Sequence, residues 1–139
     1  MPVLLHHAVF GSLERWLAIV LEQHGGLPDG LAPAPVAVFP VAASSEGAAR
    51  RLYDDLRQAG VPAAWPCEGP LNGRLRDAAQ AHVPYWAVVG PREAEAGQVQ
   101  LRRRGEKQGR CLDIGPWVAS AAAAWKSGHP QAAGFGGEA

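Results

Sequence analysis

A chain of 139 residues can bury one core and fold as one compact unit. Its 13 basic and 13 acidic residues cancel to zero formal net charge, which excludes a protein that coats nucleic acid by bulk charge. Any such binding must come from a local patch. The longest apolar runs fall well short of the ~18 residues of a membrane-spanning helix, and the two cysteines, Cys67 and Cys111, form no C-x-x-C pair. No basic stretch followed by an apolar run opens the chain, so a cytoplasmic protein with reduced thiols and no membrane partner is expected. Arginines number 11 against two lysines. Either a GC-rich genome or selection for the fork-shaped donor accounts for that.

Taken in order, Met1–Ala8 reads as a short strand. Ser12 is placed to cap a helix from Leu13 to about His24, with Leu13, Trp16, Leu17, Val20 and Leu21 on one face and Gly25-Gly26 as its stop. Leu27–Pro35 is rich in proline and glycine and marks the best boundary in the chain. Val36–Val41 reads as a strand. A helix capped by Ser44 or Ser45 follows to about Ala59, with Ala48, Ala49, Leu52, Tyr53 and Leu56 inward and Gly60 as its stop. Val61–Trp65 reads as a second strand and Cys67–Pro70 as a loop. Leu71 or Asn72 opens a helix to about Ala81, with Leu75, Ala78 and Ala79 inside and Arg74, Arg76 and Asp77 outside.

Tyr85–Val89 is a nearly continuous apolar run, as in a strand covered on both faces. Gly90-Pro91 begins a turn, and Gly97–Arg103 is the next strand. Its residues alternate. Val99, Leu101 and Arg103 point one way, and Gln98, Gln100, Arg102 and Arg104 point the other. The second set has no apolar member, so that face is wet and rich in donors suited to phosphates or base edges. Arg110–Ile114 reads as an edge strand and Pro116–Lys126 as a final helix bearing Trp117, Ala121, Ala124 and Trp125. From Ser127 the chain is a small, polar tail.

From Val36 the order is β-α-β-α-β-β-α. This is an α/β fold whose first strands pair in parallel through right-handed crossovers and whose last strands form an antiparallel hairpin. The expected organisation is a leading strand and helix over residues 1–26, a linker over 27–35, the α/β domain over 36–126 and a disordered tail over 127–139. Arg102, Arg103, Arg104, Lys107 and Arg110, with Glu106 among them, cluster near one end of the sheet. As a nucleic-acid patch they would give a modest salt slope, about −0.7 per phosphate on single strands; as a plain charge run they would be a solvated loop. Ser44, Ser45, Ser120 and Ser127 lack a glycine-rich elbow, and Cys67 has no cationic neighbour in sequence. No nucleophile–base pairing stands out.

Three stretches together carry a resemblance. Leu31-Ala32-Pro33 leads into Val36-Ala37-Val38. Gly73-Arg74-Leu75-Arg76-Asp77-Ala78 looks like the helix motif G-x-K-I-R-x-A, with Arg76 on its arginine. Val83-Pro84-Tyr85 runs through an acidic turn to Arg104. In this order and at these separations they resemble the C-terminal anticodon-binding domain of class II aminoacyl-tRNA synthetases, and threonyl-tRNA synthetases in particular. Upstream, Pro2–Arg15 is similar to motif 3 of the catalytic domain in those enzymes.

The resemblance implies a freestanding tRNA-binding module that engages an anticodon stem–loop, with threonine tRNA as the expected partner and no aminoacylation by this chain alone. It implies that Glu93 and Arg102 read anticodon bases, that Arg76 matches the arginine of the helix motif, and that Arg104 belongs to the RNA-binding strand. It places Arg15 on the motif 3 arginine that grips ATP, although motif 2 and the large sheet that complete that grip have no counterpart before Arg15. His6 falls on a zinc ligand of threonyl-tRNA synthetases whose companion ligands lie further upstream. His7, His24, His82 and the two cysteines show no ligand spacing, so no metal and no cofactor is expected. One departure is the loop Pro66–Pro70, stiff and acidic where the family carries polar and basic residues; Glu68 there would repel phosphate. The alternatives are an interaction module that self-associates or binds a protein through Trp16, Leu17 and Val20, or a piece of a full synthetase.

Overall fold

The computed structural model describes residues 3–25, 27–28, 31–65, 69–106 and 108–128. In chain order the elements are α1 (Leu13–His24), β1 (Val36–Pro40), α2 (Ala43–Gln58), β2 (Ala63–Ala64), α3 (Leu71–Gln80), β3 (Tyr85–Val89), α4 (Pro91–Ala96), β4 (Gln98–Arg103), β5 (Arg110–Asp113) and α5 (Ile114–Lys126). The strands form one mixed sheet in the order β2-β1-β3-β4-β5. β1 pairs in parallel with β2 and β3, whereas β4 runs antiparallel to β3 and β5. This is the expected α/β fold, with α4 as an addition.

The sheet has two differently covered faces. α2 and α5 pack on one, where Val36, Val38, Leu52, Leu56, Ala87, Val99, Leu101 and Trp117 form the larger core. α3 packs on the other, over Ala37, Phe39 and Trp86. This second cluster contains no residue of β4 or β5. Both faces of β1 and β3 are therefore buried, which explains their unbroken apolar runs. β4 is covered on one face only and alternates, with Val99 and Leu101 buried and Gln100 exposed.

Several boundaries differ from the sequence reading. Among residues 3–8 there is no strand, and Val3, Leu4 and Leu5 are exposed. An apolar run stays a strand only where another strand satisfies its backbone, and none pairs with it among the described residues. α1 forms as expected. Ser12 Oγ accepts from the Arg15 amide and donates to Glu14, and Gly25 closes the helix in the left-handed region at φ 62°. The backbone and Ser12 hydrogen bonds together hold the Glu14 carboxyl below its ordinary pKa. No α1 residue is buried, and Trp16 packs on Phe10 with ring centroids 5.0 Å apart.

α2 begins ahead of the expected serine caps. Ser45 lies inside its first turn, fully buried, where its hydroxyl donates to the Ala42 carbonyl at 2.9 Å and accepts from the Ala42 amide at 3.3 Å. The serine does a cap's work from the third helical position, the reaching-back half of a capping box. β2 shrinks to two residues; Pro62 offers no N–H to a ladder. The expected turn after β3 is a helix, α4, with Pro91 as its first residue and Gly97 as its left-handed stop at φ 67°. α5 starts at Ile114 behind Asp113, so Pro116 is its third residue rather than its first. The loop residues Pro66, Cys67 and Glu68, together with Gly26, Lys107 and the tail from His129, lie outside the described residues.

Candidate nucleic-acid interface

Where α3 stops short, half of one sheet face is left open. Cross-strand register decides which side chains share it. Trp86 of β3 stands opposite Arg102 of β4, and Val88 stands opposite Gln100. Gln100 in turn faces Cys111 of β5, and Gln98 faces Asp113. The polar half of β4 therefore continues the face that Trp86 and Phe39 form under α3.

Arg102 is the best-defined cation on this face. Its guanidinium carbon lies 5.7 Å from the centre of the Trp86 ring, and its Nε donates to the carbonyl of Glu106 in the following turn. A guanidinium on an aromatic face gains about 0.5–1 kcal/mol where exposed, and more as it is desolvated. With ring and carbonyl holding one side, no hydrogen bond of the Nη pair is found among the described residues. Trp86 is itself held, since its Nε1 donates to the Val83 carbonyl at 3.1 Å and its ring meets Phe39 edge-on at 6.3 Å.

At the other end of β4, the amide of Gln98 donates to Asp113 at 3.0 Å and its carbonyl accepts from Cys111 Sγ at 3.2 Å. Gly109 presses against Gln100; a Cβ there would stand 2.8 Å from Gln100 Cγ and 3.0 Å from the Leu101 carbonyl. Glycine thus lets the β4–β5 connection lie close to the face.

Glu93 sits in the first turn of α4 with its carboxylate folded over Gly90. A Cβ on Gly90 would lie 2.4 Å from Glu93 Oε2 and 3.9 Å from Val41 Cγ2. Gly90 continues the 86–88–90 alternation, so this carboxylate reaches the same face as Arg102. Gly90 and Trp86 are four residues apart, and at the usual strand rise that is about 13 Å. Glu93 and Arg102 mark two ends of one open face and do not touch a common point.

The other residues singled out from sequence fall on separate elements. Arg76 is exposed on α3. Arg104 is half-buried, with Nη1 2.6 Å from Nδ1 of His82 and its amide donating to Pro84 at 2.7 Å. His82 turns the chain at φ 56°. Arg15 is exposed on α1, away from the strands.

Arg74, read from sequence as outward-facing, is half-buried instead, and its Nη2 donates to the Pro40 carbonyl at 2.9 Å. The signal was present in the spacing, because Leu71, Arg74 and Ala78 fall on one helical stripe. Among the described residues there is no group of three or more His, Cys, Asp or Glu that could hold a metal ion, and no helix is long and apolar enough to cross a membrane.

Comparison with known proteins bears on the family and the fold. Residues 35–119 match the family model described as Anticodon binding domain. The chain is 40% identical over 119 residues to the threonine–tRNA ligase of Granulibacter bethesdensis, covering 81% of this chain and 18% of that protein. It is 44% identical over 105 residues to the ligase of Thermus thermophilus, covering 74% and 16%. The chain therefore spans less than a fifth of the length of these relatives. Among solved structures, the RNA-binding domain of threonyl-tRNA synthetase from Cryptosporidium parvum superposes with a TM-score of 0.70 at 25% identity, over 84% of this chain and 29% of that one. A prolyl-tRNA synthetase from the same organism shares the fold, with a TM-score of 0.71 at 17% identity over 84% of this chain and 27% of that one.

Proposed function

Because the chain belongs to the anticodon-binding domain family, homologous to the C-terminal part of threonine–tRNA ligases, we propose that it is a tRNA-binding module whose open sheet face receives an anticodon loop. The observation that carries this reading is Arg102, laid on Trp86 and tied through Nε to Glu106. Its remaining N–H groups form a pre-aimed fork of the kind that bonds O6 and N7 of guanine, and single-stranded loops expose those edges. Glu93 accepts from a base amino group at the other end of the face. The separation of about 13 Å along the strand makes these two contacts fall on different nucleotides. Arg76 and Arg104 flank the face and contact phosphates. Threonine tRNA is the substrate proposed, from the ligases that the chain resembles.

A gel shift of the purified protein against total tRNA and isolated threonine tRNA, at low and moderate salt, tests this. The expected result is a salt-sensitive shift selective for threonine tRNA. A shift without selectivity would leave only a charged patch, and no shift at low salt would dismiss RNA binding.

A second reading is favoured by α1, none of whose residues is buried while Leu13, Leu17 and Leu21 remain exposed. In this reading the helix pairs two copies of the chain. Trp16→Asp would then convert a dimer to a monomer in light-scattering mass measurements, whereas a monomer before and after rules the pairing out.

A further inference from the structure

We propose that Arg74 is a positioning residue for anticodon discrimination, fastening α3 to the corner of the sheet against which the Glu93 carboxylate lies. The inference rests on the function proposed above. Arg74 Nη2 donates to the carbonyl of Pro40, the last residue of β1, across 34 positions of sequence. β2 pairs β1 only at Val36 and Ala37, so the outer edge of β1 at Pro40 has no strand beside it. The guanidinium takes up that backbone acceptor.

The fit is not what packing alone would choose. Among the described residues Arg74 Nε is enclosed without a hydrogen-bond partner, and such a group costs free energy that an apolar side chain of similar volume would avoid. What the arginine adds is a fixed link between two parts of the proposed site. On one side, the Pro40–Val41 corner is locked to β3 through the Val41 amide, which donates to Val89 at 3.0 Å. Val41 Cγ2 and Glu93 Oε2 both stand within reach of the point where a Gly90 Cβ would be. On the other side, Arg76 is two positions along the same helix and exposed. A helix advances 3.6 residues per turn, so fixing the direction of Arg74 fixes the direction of Arg76. Recognition that depends on placement within fractions of an ångström is lost when such a support is loosened.

The test uses the whole protein, as wild type, Arg74→Met and Arg74→Lys. The probes are two synthetic stem–loops, one with the threonine anticodon and one with the anticodon bases scrambled, each titrated at two salt concentrations. Wild type should prefer the threonine loop by about tenfold or more, the discrimination one good bidentate pair supplies. Arg74→Met should bring that preference to within about twofold, while affinity for the scrambled loop and the salt slope stay as in wild type. Arg74→Lys, which keeps one donor for Pro40, should recover part of the preference.

Hydrogen exchange without RNA reads the same link independently. In Arg74→Met the α3 amides should exchange about tenfold faster while those of β4 and β5 do not change. Unaltered preference in both variants would overturn the proposal. So would equal weakening of both loops with the salt slope reduced by about 0.7, the mark of a direct phosphate contact, or unaltered exchange in α3. A wild-type protein that shows no preference removes the functional reading itself, and that outcome is seen in the wild-type titration before any variant is compared.

Discussion

Arg102→Glu should abolish retention of tRNA. The substitution removes the fork that the Trp86 ring and the Glu106 carbonyl hold outward, and a bidentate arginine–guanine pair carries about 1–3 kcal/mol of discrimination. It also places a carboxylate on the face to which the proposed complex brings phosphates, so the loss should exceed that of simple truncation. Arg102→Ala should weaken binding about five- to 150-fold, the same energy expressed as affinity. Arg102→Lys separates charge from shape. It should keep the salt dependence while losing preference for the threonine anticodon, because an ammonium cannot offer two parallel donors. Filter binding at two salt concentrations distinguishes the three variants. Undiminished retention by Arg102→Glu would remove this residue from the site.

The largest loss of stability is expected from Phe39→Ala. Phe39, the last residue but one of β1, is fully buried and meets the Trp86 ring edge-on, with the planes inclined at 73°. Truncating a buried phenylalanine costs about 3–5 kcal/mol. A domain of this size has roughly 5–15 kcal/mol in total. Urea titration should show the midpoint falling by about 2 M, given slopes of about 1–3 kcal/mol per molar for small proteins. Leu4→Ala is the matched control. Leu4 is 94% exposed, and its removal should change stability by less than about 0.5 kcal/mol. Phe39 also packs beside the Trp86 ring, so the alanine variant should weaken RNA binding at urea concentrations where it is still folded. A midpoint that moves no more than that of the control would mean that the α3 face of the sheet contributes little to stability.

The parts of this molecule legible in the sequence are those whose periodicity is long or whose ends are marked. The apolar runs of β1 and β3 show strands covered on both faces, and the alternation at Val99 and Leu101 shows one that is covered on a single face. Ser12 and Gly25 bracket α1. α4 escaped because six residues complete fewer than two turns, too few for a helical stripe to appear. The only sign of it was a proline at the start and a glycine at the end. The apolar run before α1 misled because strand-forming residues do not make a strand without a neighbour.

The open face was half legible. The donors on β4 follow from alternation, and the family resemblance named Glu93 and Arg102. That Trp86 lies beneath Arg102 depends on the register between β3 and β4, which pairs residues 16 positions apart and leaves no local trace. Arg74 fell on the inner stripe of its helix, but its charge favoured an outward reading; the Pro40 carbonyl that receives it lies on another element.

The strand register also bears on the order in which the molecule assembles. Pairing of β3 with β4 joins residues 12 to 18 positions apart, from Val88–Gln100 to Tyr85–Arg103. Pairing of β1 with β3 joins Val36 to Tyr85, 49 positions apart. Closing the longer loop costs about 0.9 kcal/mol more in chain entropy than closing the 18-residue one, before α2 and α3 have been placed between the strands. On loop entropy alone, pairing within the β3–β4–β5 meander is favoured ahead of the parallel pairing of β1 with β3. On that route the donor-bearing strand β4 is in place early, while the ring beneath Arg102 gains its full support only when Phe39 arrives with β1. The late step on that route is the one that completes the open face.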